Sequence, residues 1–306
     1  MSRILEIRAI LLSCILYGVA GQDWMRTFKV VNTPIPPLSN FQSAGNERCG
    51  LSNPDGLGID VKVTGDYTRP GQYPWVVALF NRGQFFAGGS LIKPGVVLTA
   101  SYPLESKVAE DIIVKAGAWN ISALAEQLPR EERQVDSIVR HENFTFGFGG
   151  NNIALLFLSS PFELKTHIRT MCLPRQRKPF EQGRCFVAGW RYEPWHSQQL
   201  GLQEQIPVTL VNREICQNKW RKDGYDPDFV VGNGLICAER VDHLSACTFF
   251  RGSPLFCPTE EDPARYEQAA IVDWGFGCSS RLPKVYTNVA FYRNWIDQQV
   301  ANKPQF

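Results

Sequence analysis

The stretch "NNIALLFLSSPF", Asn151–Phe162, sets a short apolar run, Ile153–Leu158, between an asparagine pair and a Ser-Ser-Pro stop. Runs of the same kind recur along the chain, as "WVVALF" (75–80), "VVLTA" (96–100), "IIVKAG" (112–117), "CFVAGW" (185–190), "IPVTLV" (206–211) and "AAIVDW" (269–274). They are rich in β-branched and aromatic residues, and Gly, Pro and Asn turns separate them. Many short strands without helical patterns between them predict an all-β barrel or sandwich. Only the end, "VAFYRNWIDQQV" (289–300), spaces its apolar residues as a helix does, with Val289, Tyr292, Trp295 and Ile296 on one face.

The chain has 306 residues, 44% of them hydrophobic, which is ample for a packed core. Lys and Arg total 32 against 30 Asp and Glu, so charge selects neither nucleic acid nor an anionic membrane as partner. The first residues read as a secretory signal peptide over 1–21. Arg3 and Arg8 precede the apolar run Ala9–Ala20, and small residues follow. That run is too short to span a bilayer comfortably, and no later stretch reaches the roughly 18 apolar residues that a membrane helix needs. The expectation is a secreted, extracellular protein.

Residues 22–55 hold prolines and polar residues without hydrophobic period, which predicts an extended leader ahead of a domain at 56–302. Beyond the signal peptide lie Cys49, Cys172, Cys185, Cys216, Cys237, Cys247, Cys257 and Cys278. An even count in a secreted chain implies four disulfides, with the pairing left open. There is no C-x-x-C pair and the histidines are scattered, so a metal site is not expected and no cofactor is implied. "NIS" at Asn120 and "NFT" at Asn143 are glycosylation sequons in loop-like surroundings, and both are expected to carry glycans.

Taken in order, "GQYPWVVALF", "GGSLIKPGVVLTA", "NNIALLFLSSPF", "MCLP", "CFVAGW", "CTFFRGSPLFC" and "PKVYTNVAFYRNWI" resemble the chymotrypsin-like serine protease family over nearly everything after the leader. "CGLSNPDGLG" and "GSPLFCP" bring the resemblance closer to the insect clip-domain, masquerade-like homologues of that family. The fold implied is two packed six-stranded β-barrels with a C-terminal helix. The resemblance also implies the pairs Cys49–Cys172, Cys185–Cys257, Cys216–Cys237 and Cys247–Cys278, while the leader lacks the six cysteines of a clip module.

Hydrolysis in this family needs a serine nucleophile, a histidine base, an aspartate that holds the histidine, and backbone N–H groups for the oxyanion. Matched motif by motif, Tyr102 stands in the histidine's slot, Asn152 in the aspartate's and Arg251 in the serine's. A phenol, titrating near ~10, is a poor general base at neutral pH, and a guanidinium cannot become a nucleophile. Phe249 falls on the oxyanion glycine, and Phe250 on the aspartate that pairs with the new N-terminus of an activated protease. The region before "GQYPW" lacks an activation motif, and Ala87 and Pro103 replace the cysteines that flank the family's histidine.

His141 and His243 read as solvated or structural rather than as a substitute base, and Ser253 as an inert packing residue. The functional expectation is therefore a secreted non-catalytic homologue, a cofactor, adaptor or decoy in an extracellular proteolytic cascade of immunity or reproduction. Its partners would be serine proteases, zymogens, their substrates or inhibitors. The alternative is a recognition protein for microbial or cell-surface glycans.

Overall fold

Alternation of buried and half-buried side chains, as in "IIVKA" and along Glu204–Val211, lays an apolar row on one face of each strand, and such rows are covered when a sheet closes on itself. A computed structural model describes residues 49–58, 65–123, 126, 128–146, 150–180, 183–191, 201–222, 227–241, 250–273 and 282–303. In it β1 (Val76–Asn81), β2 (Gln84–Lys93), β3 (Val96–Thr99), β4 (Ile112–Ala116), β5 (Glu131–Arg140) and β6 (Ala154–Leu158) form a closed barrel in the order β1-β2-β3-β6-β5-β4. A second closed barrel joins β7 (Arg184–Gly189), β8 (Glu204–Val211), β9 (Leu235–Arg240), β10 (Pro254–Pro258), β11 (Tyr266–Ile271) and β12 (Lys284–Asn288) in the order β10-β11-β12-β9-β8-β7. All the pairings between these twelve strands are antiparallel; β1 closes on β4, and β10 on β7.

Val77, Leu79, Leu91, Val97, Ile112, Val114 and Leu156 fill the first barrel, and Val187, Ile206, Val208, Leu255, Ala270 and Tyr286 the second. A third cluster includes Tyr73, Trp75, Met171, Trp190 and Phe256 and draws on elements of both barrels. The Phe256 ring lies 4.8 Å from Tyr73, 5.2 Å from Trp75 and 5.4 Å from Tyr266, each edge to face. Disulfides join Cys49 to Cys172, Cys185 to Cys257 and Cys216 to Cys237. Cys49 therefore binds the segment 49–58 to the chain between the barrels, and Asn53 fastens it further by donating to the carbonyls of Gly71 and Thr166 at 2.7 and 2.9 Å.

The two closed six-stranded barrels are the predicted architecture. Two elements depart from the sequence reading. A helix, α1 (Arg213–Lys222), stands between β8 and β9, where no helical period is visible. It buries only Cys216 and Trp220, one turn apart, so the apolar signal is two residues wide. Local chemistry holds it instead: the Asn212 side chain accepts from the Glu214 N–H at 2.8 Å, and the disulfide to Cys237 ties its face to β9. The strand β5, "EERQVDSIVR", is polar because only Val135 in it is fully buried, and pairing with β4 and β6 sets its conformation.

The C-terminal helix, α2 (Arg293–Ala301), begins later than the apolar period. Val289 and Tyr292 precede it, yet both pack with Ile296 and the half-buried Trp295 in one cluster against the first barrel. Among the described residues, no helix is long and apolar enough to cross a membrane. Residues 1–21, read above as a signal peptide, the expected leader up to Arg48, His243, Cys247, Phe249 and Cys278 lie outside the described residues.

Phe256→Ala should destabilise the protein by about 3–5 kcal/mol, because the ring's neighbours come from both barrels and cannot collapse into its volume. Urea unfolding followed by tryptophan fluorescence measures this; a loss under about 1 kcal/mol would mean that the aromatic cluster does not hold the barrels together.

Candidate functional site

Four segments converge where the barrels face each other. From the first barrel come Ser101 and the 3-10 turn Tyr102–Leu104 after β3, and Asn151 and Asn152 before β6. From the second come Arg251–Ser253 before β10, and Asp273 just past the end of β11. Close approach of the backbones requires glycine at two points. Gly252 has φ of 74°, and a Cβ there would strike the Thr99 hydroxyl and the Gly88 carbonyl. A Cβ on Gly88 would strike the Ser253 side chain, while the Gly88 N–H donates to the Arg251 carbonyl at 2.8 Å.

The structure brings Tyr102, Asn152 and Arg251 together. The backbone N–H of Tyr102 donates to Asn152 Oδ1 at 2.9 Å, and the Arg251 guanidinium lies 5.5 Å from the centre of the Tyr102 ring, within cation–π range. Phe146 meets the same ring edge to face at 6.2 Å. Ser101 supports the turn by donating from its hydroxyl to the Ile153 carbonyl at 2.6 Å.

Asn152 is buried, and its amide nitrogen donates to the carboxylate of Asp273. Thr287 on β12 shares its hydroxyl between that carboxylate and the Asn152 carbonyl, at 3.2 Å each. The site thus contains a carboxylate contributed by the second barrel. Sequence reasoning passed over Asp273. The available signal was a lone acid closing the apolar run "AAIVDW", since buried acids are almost always paired.

Phe250 is 1% exposed and belongs to the second barrel's core. Ser253 is fully buried, and its hydroxyl has no hydrogen-bond partner among the described residues. His141 lies away from this group: its ring stacks on Trp295 at 5.1 Å and meets Tyr292 edge-on, and burial pushes its pKa down. Tyr292 donates to Asn151 Oδ1 at 2.9 Å, and burial, aided by the charge of Asp273, pushes its phenol up to about 12. Asn143 is exposed in the turn after β5, whereas Asn120 is half-buried and bridged to Leu202. No group of three or more potential metal ligands occurs among the described residues.

Residues 62–296 match the family described as Trypsin. The chain belongs to the trypsin family. This trypsin-family chain is 34% identical to "Phenoloxidase-activating factor 2" of Galleria mellonella, over 89% of its own length and 94% of that protein. It is 30% identical to "Inactive CLIP domain-containing serine protease A28" of Anopheles gambiae, over 88% of its length and 70% of the other. With "Inactive CLIP domain-containing serine protease A3" of Aedes aegypti it shares 31% identity, over 88% of its length and 60% of that protein. Several of its relatives within the trypsin family are thus named as inactive.

Asn152→Asp should destabilise this trypsin-family domain by about 3 kcal/mol or more near neutral pH, because it sets a second buried carboxylate against Asp273 and removes the donor between them. The pair then takes up a proton more readily when folded than the ~3.9 of an unfolded aspartate. A folded pKa above the unfolded one confers stability that is present at low pH and lost as pH rises through the raised value. The deficit should therefore be small near pH 4 and grow toward pH 7. Exchanging the two groups, Asn152→Asp with Asp273→Asn, should recover most of it. Thermal unfolding across pH decides; a deficit that does not vary with pH would mean that the two side chains do not face each other.

Proposed function

We propose that this chain is a secreted, non-catalytic member of the trypsin family that serves as a cofactor, adaptor or decoy in an extracellular proteolytic cascade. The observation that carries the reading is the arrangement of Arg251, Tyr102 and Asn152: a guanidinium over a phenol, with an amide behind it. Acyl transfer needs a nucleophile that can lose a proton and a base to take it, and this arrangement offers neither. The amide directs its oxygen to the Tyr102 backbone and its nitrogen to Asp273, so it presents no carboxylate that could orient an imidazole.

The oxyanion site has lost its means of assembly as well. Phe250 stands where the family's active members keep the aspartate that receives a freed N-terminus, and its side chain is part of the second barrel's core. Fully burying such a ring is favourable by about 2 kcal/mol, so the segment gains stability from the residue that forbids activation. The names of the relatives support the reading. One is named a phenoloxidase-activating factor and others are named inactive proteases, which is consistent with a working partner outside the chain itself. The signal peptide read at 1–21 supplies the compartment, and active serine proteases, zymogens, their substrates or inhibitors are the partners that a protease-shaped surface fits.

A fluorophosphonate probe, which labels competent serine hydrolases, should leave the purified protein unlabelled, and labelling would overturn the reading. Pull-down from the native extracellular fluid should recover a catalytically competent protease or its zymogen; retention on bacteria or polysaccharide with no other protein present would replace a cascade role with glycan recognition.

Restoring side chains should not restore turnover. Tyr102→His, Asn152→Asp and Arg251→Ser rebuild the three reacting groups, yet each missing oxyanion donor costs about 10²–10³-fold. The triple variant should stay at background on peptide esters, and active-site titration showing substantial turnover would sink the claim that the activation machinery is gone.

A further inference from the structure

The turn between β5 and β6 places a sequon beside an exposed ring. Asn143 and Thr145 are exposed, and Phe146 next to them is 63% exposed, unusual for a phenylalanine. The backbone of Asn143 is held from both sides. Its N–H donates to His141 Nδ1 at 3.2 Å, and its carbonyl accepts from Asn151 Nδ2 at 2.8 Å. The side-chain amide of Asn143, by contrast, makes no hydrogen bond to any described residue. The backbone at Asn143 is thus fixed, and the exposed residue keeps its side-chain amide free of hydrogen bonds to the described residues.

The sequon at Asn120 is built differently. Its Oδ1 accepts from the Ser122 N–H at 3.0 Å, and its own N–H donates to Glu126 at 3.1 Å. Asn120 pairs with Leu202, Ile121 donates to the Gly201 carbonyl at 2.8 Å, and Gly201 lies so close that a Cβ on it would strike the side chains of Asn120 and Ser122. A glycan there would have to force this pairing open, because a bulky, hydrated group tolerates only surface sites.

We propose that Asn143 carries an N-linked glycan, that Asn120 does not, and that the Asn143 glycan lies over Phe146 at the edge of the cleft between the barrels. The transfer is redox-neutral. The Asn143 amide nitrogen bonds to the anomeric carbon of a lipid-pyrophosphate-linked oligosaccharide, the carbon–oxygen bond to pyrophosphate breaks, the lipid pyrophosphate leaves with the electron pair, and the amide gives up one proton. Phe146 meets the Tyr102 ring at 6.2 Å and Phe144 at 6.3 Å, so the sugar covers an aromatic edge that continues into the cleft. Such a cover would lie on the first-barrel side of the cleft.

The proposal rests on the secretory reading of the first 21 residues, and the experiment separates the two. The chain is expressed in insect cells, once with its own start and once behind a foreign secretory signal. Retention of the first form with secretion of the second overturns only the secretory reading. On the secreted protein, enzymatic deglycosylation in heavy-oxygen water followed by peptide mass spectrometry should convert Asn143 to labelled aspartate and leave Asn120 unlabelled. Asn143→Gln should remove one glycan's mass, and Asn120→Gln none. An unmodified Asn143, or a glycan on Asn120, overturns the assignment. For the cover, binding of a hydrophobic fluorescent dye should rise in Asn143→Gln and fall back when Phe146→Ser is added; no rise overturns the placement over Phe146.

Discussion

The two barrels touch backbone to backbone where the Gly88 N–H donates to the Arg251 carbonyl, and that contact sets how closely the two sides of the cleft approach. It is possible only because residues 88 and 252 lack side chains, so that β2 and the segment before β10 approach more closely than any Cβ would allow. With the backbones close, the segments that carry residues 102, 152, 251 and 273 meet, and the Asn152 side chain ties the Tyr102 backbone to Asp273. The backbone approach of the two barrels is therefore set apart from the question of which side chains line the cleft.

Most of the fold was legible in the sequence because barrel strands bury one or both faces. "WVVALF", "IALLFL" and "CFVAGW" pack almost entirely inside, and a run of that length between turn residues has few other readings. What stayed hidden was structure whose determinants are not hydrophobic periods. The helix at Arg213–Lys222 relies on an asparagine cap and a disulfide, and β5 on the ladders of its two neighbours. In both cases the tertiary context supplies what local pattern lacks.

Within the site, legibility followed the same division. Tyr102, Asn152 and Arg251 were found by matching motifs, which registers what is missing. Asp273 was not found, because motif matching asks whether expected groups are present and cannot register one that arrives from another strand. Only the fold places it opposite Asn152. The physical clue was present nevertheless, since an ionisable residue at the end of a buried strand must have a partner.

On the non-catalytic reading proposed above, this arrangement also explains how a site can lack hydrolytic chemistry without a large cost in stability. Catalytic groups are held in geometries that serve a transition state, and proteins tolerate the resulting strain because function requires it. Here the polar groups around Asn152 instead have ground-state partners: Asn152 spans the Tyr102 backbone and Asp273, Thr287 covers the second carboxylate oxygen, and Arg251 rests over the Tyr102 ring. A network with its donors and acceptors matched is rigid in a low-dielectric interior and resists partial repair, because changing one member leaves another unpaired. That rigidity suits a surface used for docking. In the role proposed above, a binding partner would gain affinity from a cleft that needs no reordering, because the side chains at Tyr102, Asn152 and Asp273 are held by one another.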